Sequence, residues 1–111
     1  MLPENITAIL ARNERWTGKA ASEPYEAGWA REAVIFVRAL KQPVGTQPLA
    51  RVEISPDGMH WTAEGSEFAL PREKDGLAAA RVSHFGNWLR VTADFEPGAQ
   101  SVVLVTLHLK A

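Results

Sequence analysis

Trp88-Leu89-Arg90-Val91-Thr92-Ala93-Asp94-Phe95 and, a few residues on, Ser101-Val102-Val103-Leu104-Val105-Thr106-Leu107-His108-Leu109-Lys110 decide the fold. Side chains alternate across a β-strand, so apolar residues at every second position mark a strand with one buried face. In the first stretch Leu89, Val91, Ala93 and Phe95 share a face, while Trp88, Arg90, Thr92 and Asp94 share the other. In the second, Val103, Val105, Leu107 and Leu109 line up in the same way. A helix needs apolar residues every three to four positions over a long stretch, and this chain has no convincing one. Asn5 to Glu14 could pass as a short helix and is read as a strand.

Outward from these two stretches the same rhythm continues. Glycine and proline recur from Gly18 to Gly98 and separate short runs of strand length, which is an all-β signature. Strands are predicted at Glu32 to Leu40, Leu49 to Ser55, Met59 to Ala63 and Leu77 to Ser83, with weaker ones near Ile6 to Ala11, Arg15 to Ala20 and Ser66 to Leu70. Ser55-Pro56-Asp57-Gly58 has turn chemistry: Pro56 presets φ, Asp57 suits the next position and Gly58 accepts a left-handed backbone. It reads as a hairpin with a glycine bulge, with Met59 and Trp61 packing down in phase. About eight strands without a helix must hide their edges, and two sheets packed face to face do so. The expected fold is therefore an all-β, two-sheet antiparallel β-sandwich, jelly-roll-like, forming a single domain over residues 1–111.

Composition narrows the function classes. Twelve Lys and Arg against 13 Asp and Glu give a net charge of −1, so no basic excess favours nucleic acid. The absence of cysteine removes disulfides, thiolate metal sites and thiol catalysis together. Met1-Leu2-Pro3-Glu4-Asn5 lacks the positive start and apolar stretch of a secretory signal, and no segment is long enough to span a bilayer. The expectation is a cytoplasmic or particle-associated protein without a membrane or nucleic-acid partner.

Two strands are apolar on both faces. Val34 and Phe36 alternate with Ile35 and Val37, and Val102 and Leu104 sit on the face that otherwise carries Thr106, His108 and Lys110. An apolar outer face must be covered, by another segment of the chain or by another subunit. Val34, Phe36, Val102 and Leu104 are therefore interface candidates, and a symmetric homo-oligomer is the sharper expectation.

Candidate chemistry is thin. His60, His84 and His108 are scattered and form no spaced pair, so neither a zinc site nor another cofactor is expected. Ser83 and His84 are adjacent, and adjacent strand residues face opposite ways. Glu64 with Glu67, or Glu73 with Asp75, could line a loop, but a chain this short seldom builds a catalytic cleft around two carboxylates. Asp57, Glu73 and Asp75 could contribute to a loop calcium site, although solvated charge accounts for them as well. Four tryptophans are many for this length. Most sandwich tryptophans are core, yet alternation puts Trp88 outward beside Arg90, and Trp29 and Trp16 lie near loops. These four residues are the candidates for a ligand platform or interface.

The segment Arg51-Val52-Glu53-Ile54-Ser55-Pro56-Asp57-Gly58-Met59-His60-Trp61, followed later by Trp88-Leu89-Arg90-Val91, resembles the central hairpin and an aromatic-apolar-Arg strand of discoidin-type domains. That resemblance implies a jelly-roll sandwich that binds sugars or lipid headgroups through its end loops. It covers about a quarter of the chain and supports the fold more than the binding. Two functions follow as expectations: a non-catalytic assembly module, homo-oligomeric and structural, or a carbohydrate- or small-ligand-binding module with exposed tryptophans. A protein partner fits the first and a sugar the second; an enzyme is the third choice.

Overall fold

A computed structural model of the chain describes residues 5–111. Among these residues lie nine strands and no helix: β1 (Asn5–Trp16), β2 (Lys19–Ala21), β3 (Tyr25–Glu26), β4 (Glu32–Ala39), β5 (Leu49–Ser55), β6 (Thr62–Ala69), β7 (Leu77–Ser83), β8 (Trp88–Asp94) and β9 (Ser101–Lys110). One sheet has the order β1-β9-β4-β7, and the other β2-β8-β5-β6 with β3 also on β8. All pairs are antiparallel.

Pro24 lies between β2 and β3, which both pair with β8 and act as one interrupted strand. Counted so, the first strand pairs with the last, the second with the seventh, the third with the sixth and the fourth with the fifth. This nesting is one long hairpin folded over into two sheets, the jelly-roll plan. The shortest dimension is 19 Å, as two sheets about 10 Å apart with outward side chains require.

The core is what the alternation dictates. Leu89, Val91 and Ala93 of β8 meet Val103, Val105, Leu107 and Leu109 of β9 and Ile35 and Val37 of β4, all almost without exposure. In β1 the alternation fails because Leu10 and Ala11 are both buried. Register shifts between Ile9 and Ala11 and between Ala11 and Glu14 turn the strand's phase, with Asn13 left-handed at φ 53. These bulges carry the weak strand expected at Ile6 to Ala11 on to Trp16, whereas the one expected at Arg15 to Ala20 splits between β1 and β2, which belong to different sheets.

The hairpin after β5 differs from the expectation. Strand pairing resumes only at Ile54 with Thr62, so Met59 and His60 belong to the loop and β6 runs on through Ser66 to Ala69. The reason is local hydrogen bonding. The buried Ser55 hydroxyl accepts from the Asp57 and Gly58 N–H groups, at 3.2 and 2.8 Å. One carboxylate oxygen of Asp57 accepts from the Met59 and His60 N–H groups, both at 2.9 Å. A loop so closed has no need to pack down, and Met59 is 74% exposed. Neither residue packs into the core as expected, and Trp61 lies against the Arg90 guanidinium instead.

Candidate functional site

The outer face of the β1-β9-β4-β7 sheet carries the apolar candidates. Inward Ala33, Ile35, Val37 and Ala39 force Val34, Phe36 and Arg38 of β4 outward. Register sets Val34 beside His108, Phe36 beside Thr106 and Arg38 beside Leu104. Val34, Phe36, Val102 and Leu104 are all half-buried. The sequence reading missed two neighbours on this face: Ile9 of β1, beside Thr106 and 43% exposed, and Leu77 of β7, beside Arg38 and 63% exposed. Among the described residues, no segment buries any of the six fully.

Polar groups on this face satisfy one another. The His108 ring nitrogens lie 3.2 Å from the Thr7 hydroxyl and 3.3 Å from that of Thr106. Phe36 meets the same ring edge-on, with centroids 5.1 Å apart. Toward the rim, Arg38 donates to Asp75 at 2.9 Å. The result is an apolar centre bordered by the Arg38–Asp75 ion pair.

The opposite outer face, on the β2-β8-β5-β6 sheet, is polar. Arg90 of β8 donates to Glu53 of β5 at 2.8 Å, and its guanidinium carbon lies 4.2 Å from the centre of the Trp61 ring. Arg51 pairs with Asp94 at 3.0 Å. Between these ion pairs lies a cleft of about 310 Å³, lined also by Lys19 and Thr92. The Thr92 hydroxyl is buried and has no hydrogen-bond partner. Trp61, Glu53 and Thr92 are functional candidates that the sequence reading passed over. Glu53 and Arg90 are directly opposed in register, a pairing visible only once β5 is set beside β8.

The tryptophans divide. Trp88 is half-buried, and a Cβ on Gly58 would come within 3.2 Å of its ring. Its ring therefore backs the loop after β5. Trp29 is half-buried against the core. Trp16 is 2% exposed, so it belongs to the core and cannot serve as a surface platform. It closes β1 opposite Ser101, where the restored strand phase points it inward.

The loop carboxylates are already engaged. Asp57 is a hub, and its second oxygen lies 2.6 Å from the His60 ring nitrogen. The His60 N–H, then the His60 ring, the Met59 N–H and the Ser55 hydroxyl hold its carboxyl well below the usual carboxylate range. Asp75 is taken by Arg38, and Glu64 accepts from the Ser66 N–H at 3.0 Å. Among the described residues no three His, Asp or Glu side chains converge as metal ligands would. Ser83 and His84 are both exposed at the end of β7, with His84 left-handed at φ 55.

No protein-family model matches the chain, and no curated protein sequence does. Several solved structures share its fold. The SPBc2 prophage-derived protein YomS is similar over 100% of this chain and 96% of its own, at 13% identity and a TM-score of 0.69. The PBSX exported protein XepA is similar over 99% of this chain and 37% of its own, at 13% identity and a TM-score of 0.55. A protein of the disulfide-linked pili of Bacillus endospore appendages is similar over 98% of this chain and 90% of its own, at 12% identity and a TM-score of 0.51. Identities this low show the fold alone. They support a general β-sandwich and not the discoidin family in particular.

Proposed function

We propose that this chain is a non-catalytic assembly module, a single β-sandwich domain that associates with copies of itself through the outer face of the β1-β9-β4-β7 sheet. The observation that carries the reading is the cluster of Val34, Phe36, Val102 and Leu104, half-buried and flanked by the more exposed Ile9 and Leu77. Leaving such a patch in water is unfavourable, and apolar patches with a polar rim are where proteins meet. The broad side of the molecule measures 47 by 28 Å, which leaves room for the roughly 800 Å² per partner that a stable interface needs. Likeness in fold to a prophage-derived protein and to a pilus protein supports a structural role in a particle or fibre.

Light scattering on a sizing column tests the reading. Phe36→Glu and Leu104→Glu should each lower the mass while leaving the far-ultraviolet circular dichroism intact. An oligomer indifferent to both would sink the proposed face.

A second reading places a small polyhydroxyl ligand, such as a sugar, in the cleft beside Arg90. It rests on the unpartnered Thr92 hydroxyl and on the Arg90–Glu53 and Arg51–Asp94 pairs, which line the same cleft. Paired Arg and carboxylate groups can bind adjacent hydroxyls. Titration of mono- and oligosaccharides against tryptophan fluorescence, with Thr92→Val and Arg90→Ala as controls, decides it. A saturable change abolished by both substitutions would support the ligand, and no change with any sugar would remove it.

A further inference from the structure

We infer that two copies of this chain join edge to edge through β7, pairing antiparallel about a two-fold axis at Ala80. The inference rests on the assembly reading above and adds a second, distinct contact to it. A lone two-fold contact ends in a dimer, whereas an extended assembly needs another.

The reasoning starts from the sheet edges. An edge strand offers unpaired N–H and C=O groups to any other strand, so proteins blunt their edges with bulges, charges, proline or shortness. Three of the four edges here are blunted. β1 has two register shifts, left-handed Asn13, and the charges of Arg12, Glu14 and Arg15. β6 carries Glu64 and Glu67, faces a register shift between Arg51 and Glu53, and contains Gly65 at φ 116. The β2–β3 edge is interrupted at Pro24.

β7 has only one of these devices, the charge of Arg81. Its seven residues, Leu77-Ala78-Ala79-Ala80-Arg81-Val82-Ser83, pair with β4 without a register shift. The strand contains no proline or glycine and a single charge, Arg81.

The strand is also complementary to itself. Only an axis at Ala80 overlaps all seven residues of both copies. It then sets Ala80 against itself, Ala78 against Val82 of the second copy and Leu77 against Ser83. Ala79 faces Arg81 of the second copy, so small side chains meet and the two arginines are not directly opposed. Such a pair turns two four-stranded sheets into one of eight strands. Since β4 lies beside β7, it also makes the apolar faces bearing Phe36 and Leu77 continuous. A partner of this chemistry is a second copy of the chain, paired through its backbone.

The register gives the test an unusual sign. Ala79 is exposed, so a charge there leaves the core alone. Ala79→Glu places a carboxylate opposite Arg81 of the second copy, twice per dimer, and Ala79→Lys places a like charge there. Sedimentation velocity over a dilution series should find Ala79→Glu tightening self-association, and Ala79→Lys weakening it, by roughly 2- to 30-fold in Kd. Adding Arg81→Glu to Ala79→Lys should restore association. Equal effects of Glu and Lys, or none, or failure of the double variant to recover would overturn the β7 pairing. Phe36→Glu in parallel separates the two claims. If it dissociates the protein while position 79 is silent, the outer face stands and the edge falls; the converse leaves the edge and removes the face. A wild-type chain and an Ala79→Glu variant that are both monomeric at every concentration overturn the edge as well.

Discussion

Ser22 should matter out of proportion to its size, and Ser22→Ala measures why. β2 ends at Ala21 and β3 begins at Tyr25, so β8 loses its neighbour strand around Val91. Ser22 fills the gap from both its backbone and its side chain. Its N–H donates to the Val91 carbonyl at 2.8 Å, and its hydroxyl accepts from the Val91 N–H at 2.9 Å. Ser22 is 5% exposed and Val91 is fully buried, so water cannot replace the hydroxyl. Alanine keeps the backbone bond and strands the Val91 N–H. A buried donor without a partner costs about 1–3 kcal/mol, a large part of the roughly 5–15 kcal/mol that holds a domain together. The urea midpoint should fall by on the order of 1 M with an unchanged slope. The melts should be run at one protein concentration, because association would shift them. Ser83→Ala, at an exposed strand end, is the control and should change little. A Ser22→Ala loss within about 0.5 kcal/mol of the control would refute the reasoning.

Other consequences follow from the same geometry. The Asp57 carboxyl is held low in the fold, so its stabilisation is present at neutral pH and is lost as the pH falls below about 4, the range of a free carboxyl. Urea melts from pH 7 to 2.5 should therefore decline more steeply for the wild type than for Asp57→Asn, and parallel declines would contradict the hub. Gly58 sits at φ 80, and a Cβ there would meet the Trp88 ring at 3.2 Å. Gly58→Ala should therefore cost about 1–3 kcal/mol in a denaturant melt. Leu107→Ala, at a position with no exposure in the centre of β9, should cost about 2–5 kcal/mol by the same measurement.

The fold was legible where one physical rule acted alone. β8 and β9 are governed by period-two burial, and both the strands and their inward faces follow from the letters. The double-faced apolar pattern of Val34, Phe36, Val102 and Leu104 singled out four residues that lie half-buried on one outer face. Reading failed where local bonding or bulges overrode periodicity. Two bulges in β1 put Leu10 and Ala11 both inward and then cancel, so Trp16 returns to the Leu10 face, and nothing in Arg12-Asn13-Glu14 announces either change of phase. The Ser55 and Asp57 hydrogen bonds lengthened a loop whose letters suit a tight turn, and this freed Trp61 to stack on Arg90. Tyr25–Glu26 is too short to show a period at all. The Glu53–Arg90 pair and the bareness of the β7 edge are properties of strand order, which no single strand encodes.

The central claim is self-association, and the solution mass across a dilution series tests it most directly. Multi-angle light scattering should return at least twice the 12.2 kDa chain mass at high concentration, falling toward the monomer on dilution and falling in part with Phe36→Glu. A mass of one chain at every concentration would contradict the account.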